Sequence, residues 1–199
     1  MIGIIDIGIG TPKSIFNAFK FLGVDSALVT TPNQLSEFNK IVLPGVGNFG
    51  AFSYKLGDIG FSEVIQNTIS HSKIPFLGIC VGAQMLLNKS DESNNALGLG
   101  LIPGNVTKIG TEIGQKIPNV GWQKIDYVNE ENKDFEFKLD RFYFSHSYRF
   151  NVSREFLFAE TISFRIPAII KKENVIGVQF HPEKSGNFGL NFLNNFAQR

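Results

Sequence analysis

The sequence predicts an α/β fold, a three-layer sandwich whose central sheet is largely parallel and becomes mixed toward the C-terminal half. Three observations carry that prediction. Through roughly the first eighty residues, short apolar runs alternate with segments of helical spacing. From about Asn105 the segments read instead as hairpin strands. No stretch rich in Pro, Gly or Ser and no internal repeat divides the chain, so residues 1–199 read as one domain.

The elements follow in order. Ile2 to Ile7 is a short apolar run, after which Gly8 and Gly10 turn the chain. Pro12 suits a first helical turn, and Ile15, Phe16, Phe19 and Leu22 then follow helical spacing until Gly23. Ser26 to Val29 and Ile41 to Leu43 read as strands, with a short helical stretch near Gln34 to Phe38 between them. A helix around Phe61 to Ile69 leads into Ile74 to Ile79, apolar enough for a central strand. The second half offers strands at Val106 to Ile109, Trp122 to Val128, Arg141 to Tyr148, Phe156 to Ile162, Ala168 to Lys171 and Val175 to Phe180. Phe188, Phe192, Leu193 and Phe196 then mark a last helix. The 20 phenylalanines are scattered at core-like spacing and read as packing.

Composition excludes several function classes. With 43% hydrophobic and 19% charged residues the chain is an ordinary globular protein, not a disordered one. Lys+Arg 19 against Asp+Glu 18 leaves a net charge of +1, and no basic run supplies a local field, so nucleic acid is not an expected partner. The single cysteine cannot build a disulfide framework or a multi-cysteine zinc site, and it fits a reducing compartment. No apolar run reaches the roughly 18 residues of a membrane span. The start, MIGIIDIGIG, lacks the basic n-region of a signal peptide. A cytoplasmic protein with no membrane partner is the expectation.

Chemistry concentrates in Pro75-Phe-Leu-Gly-Ile-Cys80-Val-Gly82-Ala-Gln84. An apolar strand runs straight into Gly78-x-Cys80-x-Gly82, followed by a helical pattern. Small residues two positions either side of a nucleophile permit a sharp strand-to-helix turn that presents its side chain at the sheet's carboxyl edge. A new helix starting there places its positive end beside the sulfur. The backbone N–H of Val81 is placed to face a developing oxyanion. Gln84 falls one helical turn beyond Cys80, on the same face.

A thiol nucleophile needs a base and an orienting group. Of the three histidines, His71, His146 and His181, the last begins His181-Pro182-Glu183 at another strand's end. His and Glu two apart in extended chain project to one side, so the carboxylate can fix the imidazole tautomer while the ring takes the thiol proton. His146 is read as shaping the pocket.

Together, Gly78-Ile-Cys80-Val-Gly82-Ala-Gln84 and His181-Pro-Glu183 resemble the class I, or triad, glutamine amidotransferases, and the resemblance covers essentially the whole chain. Four further motifs, Pro44-Gly-Val-Gly47-Asn-Phe-Gly50, Lys116-Ile-Pro-Asn-Val-Gly-Trp122, Phe144-Ser-His-Ser-Tyr148 and His181-Pro-Glu-Lys-Ser-Gly186, are similar to those of the glutaminase subunits of imidazole glycerol phosphate synthases. The resemblance implies that Cys80 is the nucleophile, His181 the general base and acid, and Glu183 its orienter. It implies a second oxyanion donor at Val46 after a peptide rearrangement of Pro44–Gly47. Gly47, Gln84, Glu92, Ser147 and Tyr148 would bind glutamine. Pro118, Asn119, Trp122 and Gln123 would face a cyclase subunit, with the chain one half of a heterodimer that passes ammonia onward in histidine biosynthesis. No metal or organic cofactor is implied.

Two places depart from that pattern. The early turn, Gly8-Ile-Gly10-Thr11, lacks an asparagine after its second glycine. Pro118-Asn119-Val-Gly-Trp122-Gln123 stands where Pro-His-x-Gly-Trp-Asn is usual. Neither touches the triad, but both lie where a partner should dock, which keeps open a paralogue supplying ammonia to a surface-polysaccharide sugar amidotransferase. A cysteine peptidase or thioesterase on the same fold, and a non-catalytic binding module with an inert Cys80, are the readings from other classes. Gly8-x-Gly10 has Lys13 where a nucleotide-binding G-x-G-x-x-G needs glycine.

Overall fold

The computed structural model describes residues 1–111, 114, 116–128 and 140–199. The first half alternates strand and helix: β1 (Ile2–Ile5), α1 (Pro12–Phe21), β2 (Ser26–Val29), a 3-10 turn (Pro32–Glu37), β3 (Lys40–Gly45), α2 (Phe49–Asp58), α3 (Phe61–His71) and β4 (Phe76–Cys80). A single turn, α4 (Val81–Gln84), is followed by β5 (Lys89–Ser90), β6 (Ser93–Leu97) and β7 (Asn105–Lys108). Then come β8 (Asn119–Tyr127), β9 (Arg141–His146), β10 (Tyr148–Asn151), β11 (Leu157–Thr161), β12 (Pro167–Lys172), β13 (Val175–Val178) and α5 (Gly186–Gln198).

Among the described residues, nine strands form one sheet in the order β2-β1-β3-β4-β13-β12-β11-β8-β9. The β2, β1, β3, β4 and β13 pairings are parallel, and those through β12, β11, β8 and β9 are antiparallel. The sheet is therefore mixed toward the C-terminal half, as the change in sequence pattern predicts. Every residue of β1, β4 and β13 is buried, so both faces of the sheet's centre are covered. Phenylalanine supplies much of that cover, with Phe19, Phe49, Phe52, Phe61, Phe76, Phe142, Phe144, Phe150, Phe180, Phe192 and Phe196 all fully buried.

Four details differ from the sequence reading. A helix that the reading did not place, α2, begins where the Asn48 side chain accepts from Ala51 N at 3.0 Å, and it buries Phe49, Phe52 and Leu56. A second sheet, β10-β7-β5-β6, was not foreseen. The stretch Arg141 to Tyr148, read as one strand, splits at Ser147: β9 stays in the large sheet and β10 joins the small one. The helix expected after Cys80 is one turn long. The reason is competition for its carbonyls, because Met85, Leu86 and Leu87 accept from Leu99 N (2.6 Å), Ile102 N (3.0 Å) and Gly100 N (3.2 Å) instead of from residues further along a helix. With only four residues of α4 aligned, the dipole contribution expected at Cys80 is correspondingly small.

Candidate active site

Cys80 is the last residue of β4 and has φ 54, ψ −112. A side-chain-bearing residue in this sparsely populated region persists only where packing enforces it. The enforcement is visible in Gly82, where a Cβ would lie 1.9 Å from the Leu43 carbonyl oxygen of β3. Without a side chain at 82 the turn presses against the neighbouring strand, and Cys80 is held at the carboxyl ends of β3, β4 and β13.

There the side chain helps line a cavity of about 510 Å³ whose wall also includes Val46, Gly47, Val81, Gln84, Glu92, Pro118, Ser147, Tyr148 and His181. These ten residues were all singled out from the sequence. They come from the loop after β3, the β4–α4 turn, the β5–β6 turn, the residue before β8, the seam between β9 and β10, and the segment after β13. Thr11, Ser145, His146 and Lys184 also line it. Gly47 has φ 95, a left-handed conformation that glycine adopts without strain.

His181 lies beyond the end of β13, lines the same cavity as Cys80, and interacts with the Cys80 side chain. Its Nδ1 is 3.0 Å from Glu183 Oε1, and the two side chains are 4% and 2% exposed. The carboxylate accepts only, so Nδ1 carries a proton and Nε2 is left to face the sulfur. Extended chain is not what aligns the pair, contrary to the sequence reading: β13 ends at Val178, and Pro182–Lys184 form a 3-10 turn that brings the carboxylate round to the ring. Burial pushes the His181 ring's pKa down, but the hydrogen bonds and charges of Cys80 and Glu183 outweigh it and lift the value to about 9. Among the described residues, Glu183 Oε2 is the buried side-chain polar atom that has no hydrogen-bond partner.

The backbone of His181 is clamped as well. Its N–H donates to the Tyr143 carbonyl at 2.9 Å, and its carbonyl accepts from Ser185 Oγ at 2.6 Å. Ser185 Oγ in turn accepts from Tyr143 N at 2.9 Å. Phe180, the residue before His181, is itself held by packing, with its ring 4.2 Å from that of Phe142 and 5.6 Å from that of Phe192.

A chain of buried polar contacts leaves the sulfur in the other direction. Gln179 Nε2 is 3.9 Å from Cys80 Sγ, and Gln84 Nε2 donates to Gln179 Oε1 at 3.1 Å and to the Tyr148 carbonyl at 3.3 Å. That carbonyl also accepts from His146 Nδ1 at 2.7 Å, and His146 Nε2 is 2.8 Å from Asn119 Nδ2. The Asn119 oxygen accepts from Gln123 Nε2 at 3.4 Å. A carbonyl can only accept and an amide NH2 can only donate, so His146 is the neutral Nδ1–H tautomer with both nitrogens satisfied. Burial first, with the charge of His181 also acting against protonation, lowers its pKa to about 4 despite the bond to Tyr148.

The expected partner-facing residues divide. Trp122 is 52% exposed, with its ring edge-on to Tyr143 at 6.2 Å. Pro118 is exposed and Gln123 half-buried. Asn119 does not face outward: it is 1% exposed and committed to His146. Glu92 lines the cavity, yet its Oε2 also accepts from Phe49 N at 2.7 Å, holding the start of α2. Gln179 and Ser185 carry geometry that the sequence reading did not assign. The available signal for Gln179 was a polar residue inside the run Val175 to Phe180, where only burial with a partner makes sense.

This arrangement of sulfur, imidazole, carboxylate and an adjoining amino-acid-sized cavity is suited to nucleophilic attack on an amide. The family model of class-I glutamine amidotransferases matches residues 3–199. The chain belongs to the class-I glutamine amidotransferases. Within them it groups with the HisH subunits. It is 41% identical over 199 residues to imidazole glycerol phosphate synthase subunit HisH of Methanothermobacter thermautotrophicus, covering 100% of this chain and 98% of the relative. The HisH of Bacillus subtilis is 35% identical over 204 residues, covering 100% and 96%. Two solved structures share the amidotransferase's fold. One, titled a glutamine amidotransferase, has TM-score 0.79 at 16% identity and covers 100% and 99% of the two chains. The other, PurLQS of Thermotoga maritima, has TM-score 0.76 at 18% identity and covers 99% and 97%.

The amidotransferase contains, among the described residues, no group of three His, Cys, Asp or Glu side chains placed to hold a metal ion. No helix among the described residues is long and apolar enough to cross a membrane.

Proposed function

We propose that this amidotransferase is the glutaminase subunit of an imidazole glycerol phosphate synthase, with Cys80, His181 and Glu183 as its catalytic triad. It acts as one cytoplasmic domain in a heterodimer with a cyclase subunit that consumes the ammonia in histidine biosynthesis. The observation that carries the triad is that Cys80 and His181 line one cavity and interact, while Glu183 holds the ring's Nδ1 at 3.0 Å. The pathway rests on similarity to the HisH relatives, named as subunits of that synthase.

The reaction runs in two halves. The raised pKa of the His181 ring favours transfer of the Cys80 proton to its Nε2, and the sulfur then attacks the side-chain carbonyl carbon of glutamine to give a tetrahedral adduct. The N–H of Val81, and that of Val46 once the Pro44–Gly47 peptide has turned, stabilise its oxyanion. Collapse breaks the carbon–nitrogen bond, His181 returns the proton to the departing nitrogen, and ammonia leaves a glutamyl thioester. Water then attacks the thioester with His181 as base, the carbon–sulfur bond breaks, the sulfur regains its proton and glutamate is released. Glu183 holds the ring through Nδ1 and offsets its positive charge in both halves. Gly47, Gln84, Glu92, Ser147 and Tyr148 bind the substrate. Ammonia free in water at neutral pH is mostly ammonium, which is no nucleophile, so a docked acceptor enzyme is part of the function. Pro118, Trp122 and Gln123 form the docking edge, with Trp122 as anchor.

A diazo-ketone analogue of glutamine tests the triad reading. One adduct on Cys80, prevented by excess glutamine and located by peptide mass spectrometry, is the expected result. No adduct, or an adduct elsewhere, contradicts it. Copurification from native cells decides between the cyclase and a sugar-amidating synthase as partner.

A further inference from the structure

Gln179 occupies an unusual place for an uncharged polar residue. It is 0% exposed, sits two residues before His181, and reaches across to the strand that carries Cys80. Burying a carboxamide is unfavourable unless its donor and acceptor are both used, and here the partners fix which end points where. The Tyr148 carbonyl accepts only, so the Gln84 amide presents its nitrogen there, at 3.3 Å. The same nitrogen is 3.1 Å from Gln179 Oε1. Gln179 therefore shows its oxygen to Gln84 and its NH2 to the sulfur, at 3.9 Å.

We propose that Gln179 is a positioning residue that donates a hydrogen bond to the Cys80 sulfur and holds the Gln84 amide in place beside the substrate cavity. Both Gln84 hydrogens are directed at protein acceptors, so the two amides hold one another in a single orientation. A sulfur that has given up its proton is a stronger acceptor than a thiol, so the Gln179 bond gains strength as the nucleophile forms. The proposal rests on the glutaminase reading of Cys80.

Inactivation by the diazo-ketone glutamine analogue separates binding (KI) from attack by sulfur (kinact), using the full chain alone. Gln179→Glu keeps an oxygen for Gln84 but sets an acceptor against the sulfur. It should lower kinact at least tenfold with KI within about threefold of wild type. Gln179→Met removes both contacts and should lower kinact severalfold while raising KI. Thermal melts establish that the variants are folded. Should neither fold, Gln84→Met releases Gln179 from the other side, and it should raise KI and lower kinact together. Folded variants with kinact within twofold of wild type would overturn the role of Gln179. A wild-type chain that takes no label at Cys80 would instead overturn the glutaminase reading itself.

Discussion

His181 and Glu183 meet at 3.0 Å across a single 3-10 turn, and both side chains are withdrawn from solvent. Burial lowers the ring's pKa, but interaction with Cys80 and then this contact outweigh it and lift the value to about 9. Glu183→Gln keeps an acceptor in place but removes the charge. It should bring the ring's titration back toward its ordinary value of 6.5 and lower the glutaminase kcat by about two orders of magnitude or more. Imidazole NMR titration and steady-state kinetics on the variant check both. In the wild type the raised ring pKa contributes stability that is complete below pH 6.5 and is lost as pH rises through about 9.

His146 has the opposite sign. Its folded pKa of about 4 lies below the unfolded 6.5. Its contribution is therefore present above pH 6.5 and lost as pH falls from there through about 4. Over that window unfolding takes up one extra proton, a slope of up to about 1.4 kcal/mol per pH unit. Urea denaturation at a series of pH values should show the wild type losing stability faster than His146→Gln across the same window. Parallel curves would contradict the neutral, doubly bonded imidazole.

Gly82 is where the nucleophile turn meets β3. A Cβ there would lie 1.9 Å from a backbone oxygen, which cannot move aside as a flexible side chain would. Gly82→Ala should cost about 2 kcal/mol or more, a fall in Tm of roughly 4–8 °C for a chain of this size. Calorimetry reads it directly, and glutaminase activity should fall with it because Cys80 shares the turn.

Trp122 is half exposed on β8, so trimming it should leave the isolated subunit as stable as before. Trp122→Ala should nevertheless weaken association with the synthase subunit tenfold or more, as expected for a central aromatic anchor. Titration calorimetry of the two purified subunits measures this, and unchanged affinity would remove Trp122 from the interface.

What could be read from the sequence follows from how local each signal is. The elbow at Cys80 was legible because its requirements, glycines at 78 and 82 around one nucleophile, all lie within five residues. The parallel core was legible because both-face burial makes β1, β4 and β13 uniformly apolar. The small sheet was not, since β5 has only two residues, too few to show a period. The one-turn length of α4 is set by amide groups at 99–102 that return to cap it, a contact that helical propensity does not register. The family resemblance of Pro118-Asn119-Val-Gly-Trp122-Gln123 puts Asn119 at the partner-facing edge. Alternation along β8 turns it inward instead, onto His146.

The most direct test of the central claim is a paired assay of Cys80→Ala in complex with the synthase subunit, with glutamine and then ammonium salt as nitrogen source. The account predicts loss of the glutamine-dependent reaction with the ammonia-dependent rate retained. Loss of both, or survival of glutamine use, would contradict Cys80 as the nucleophile.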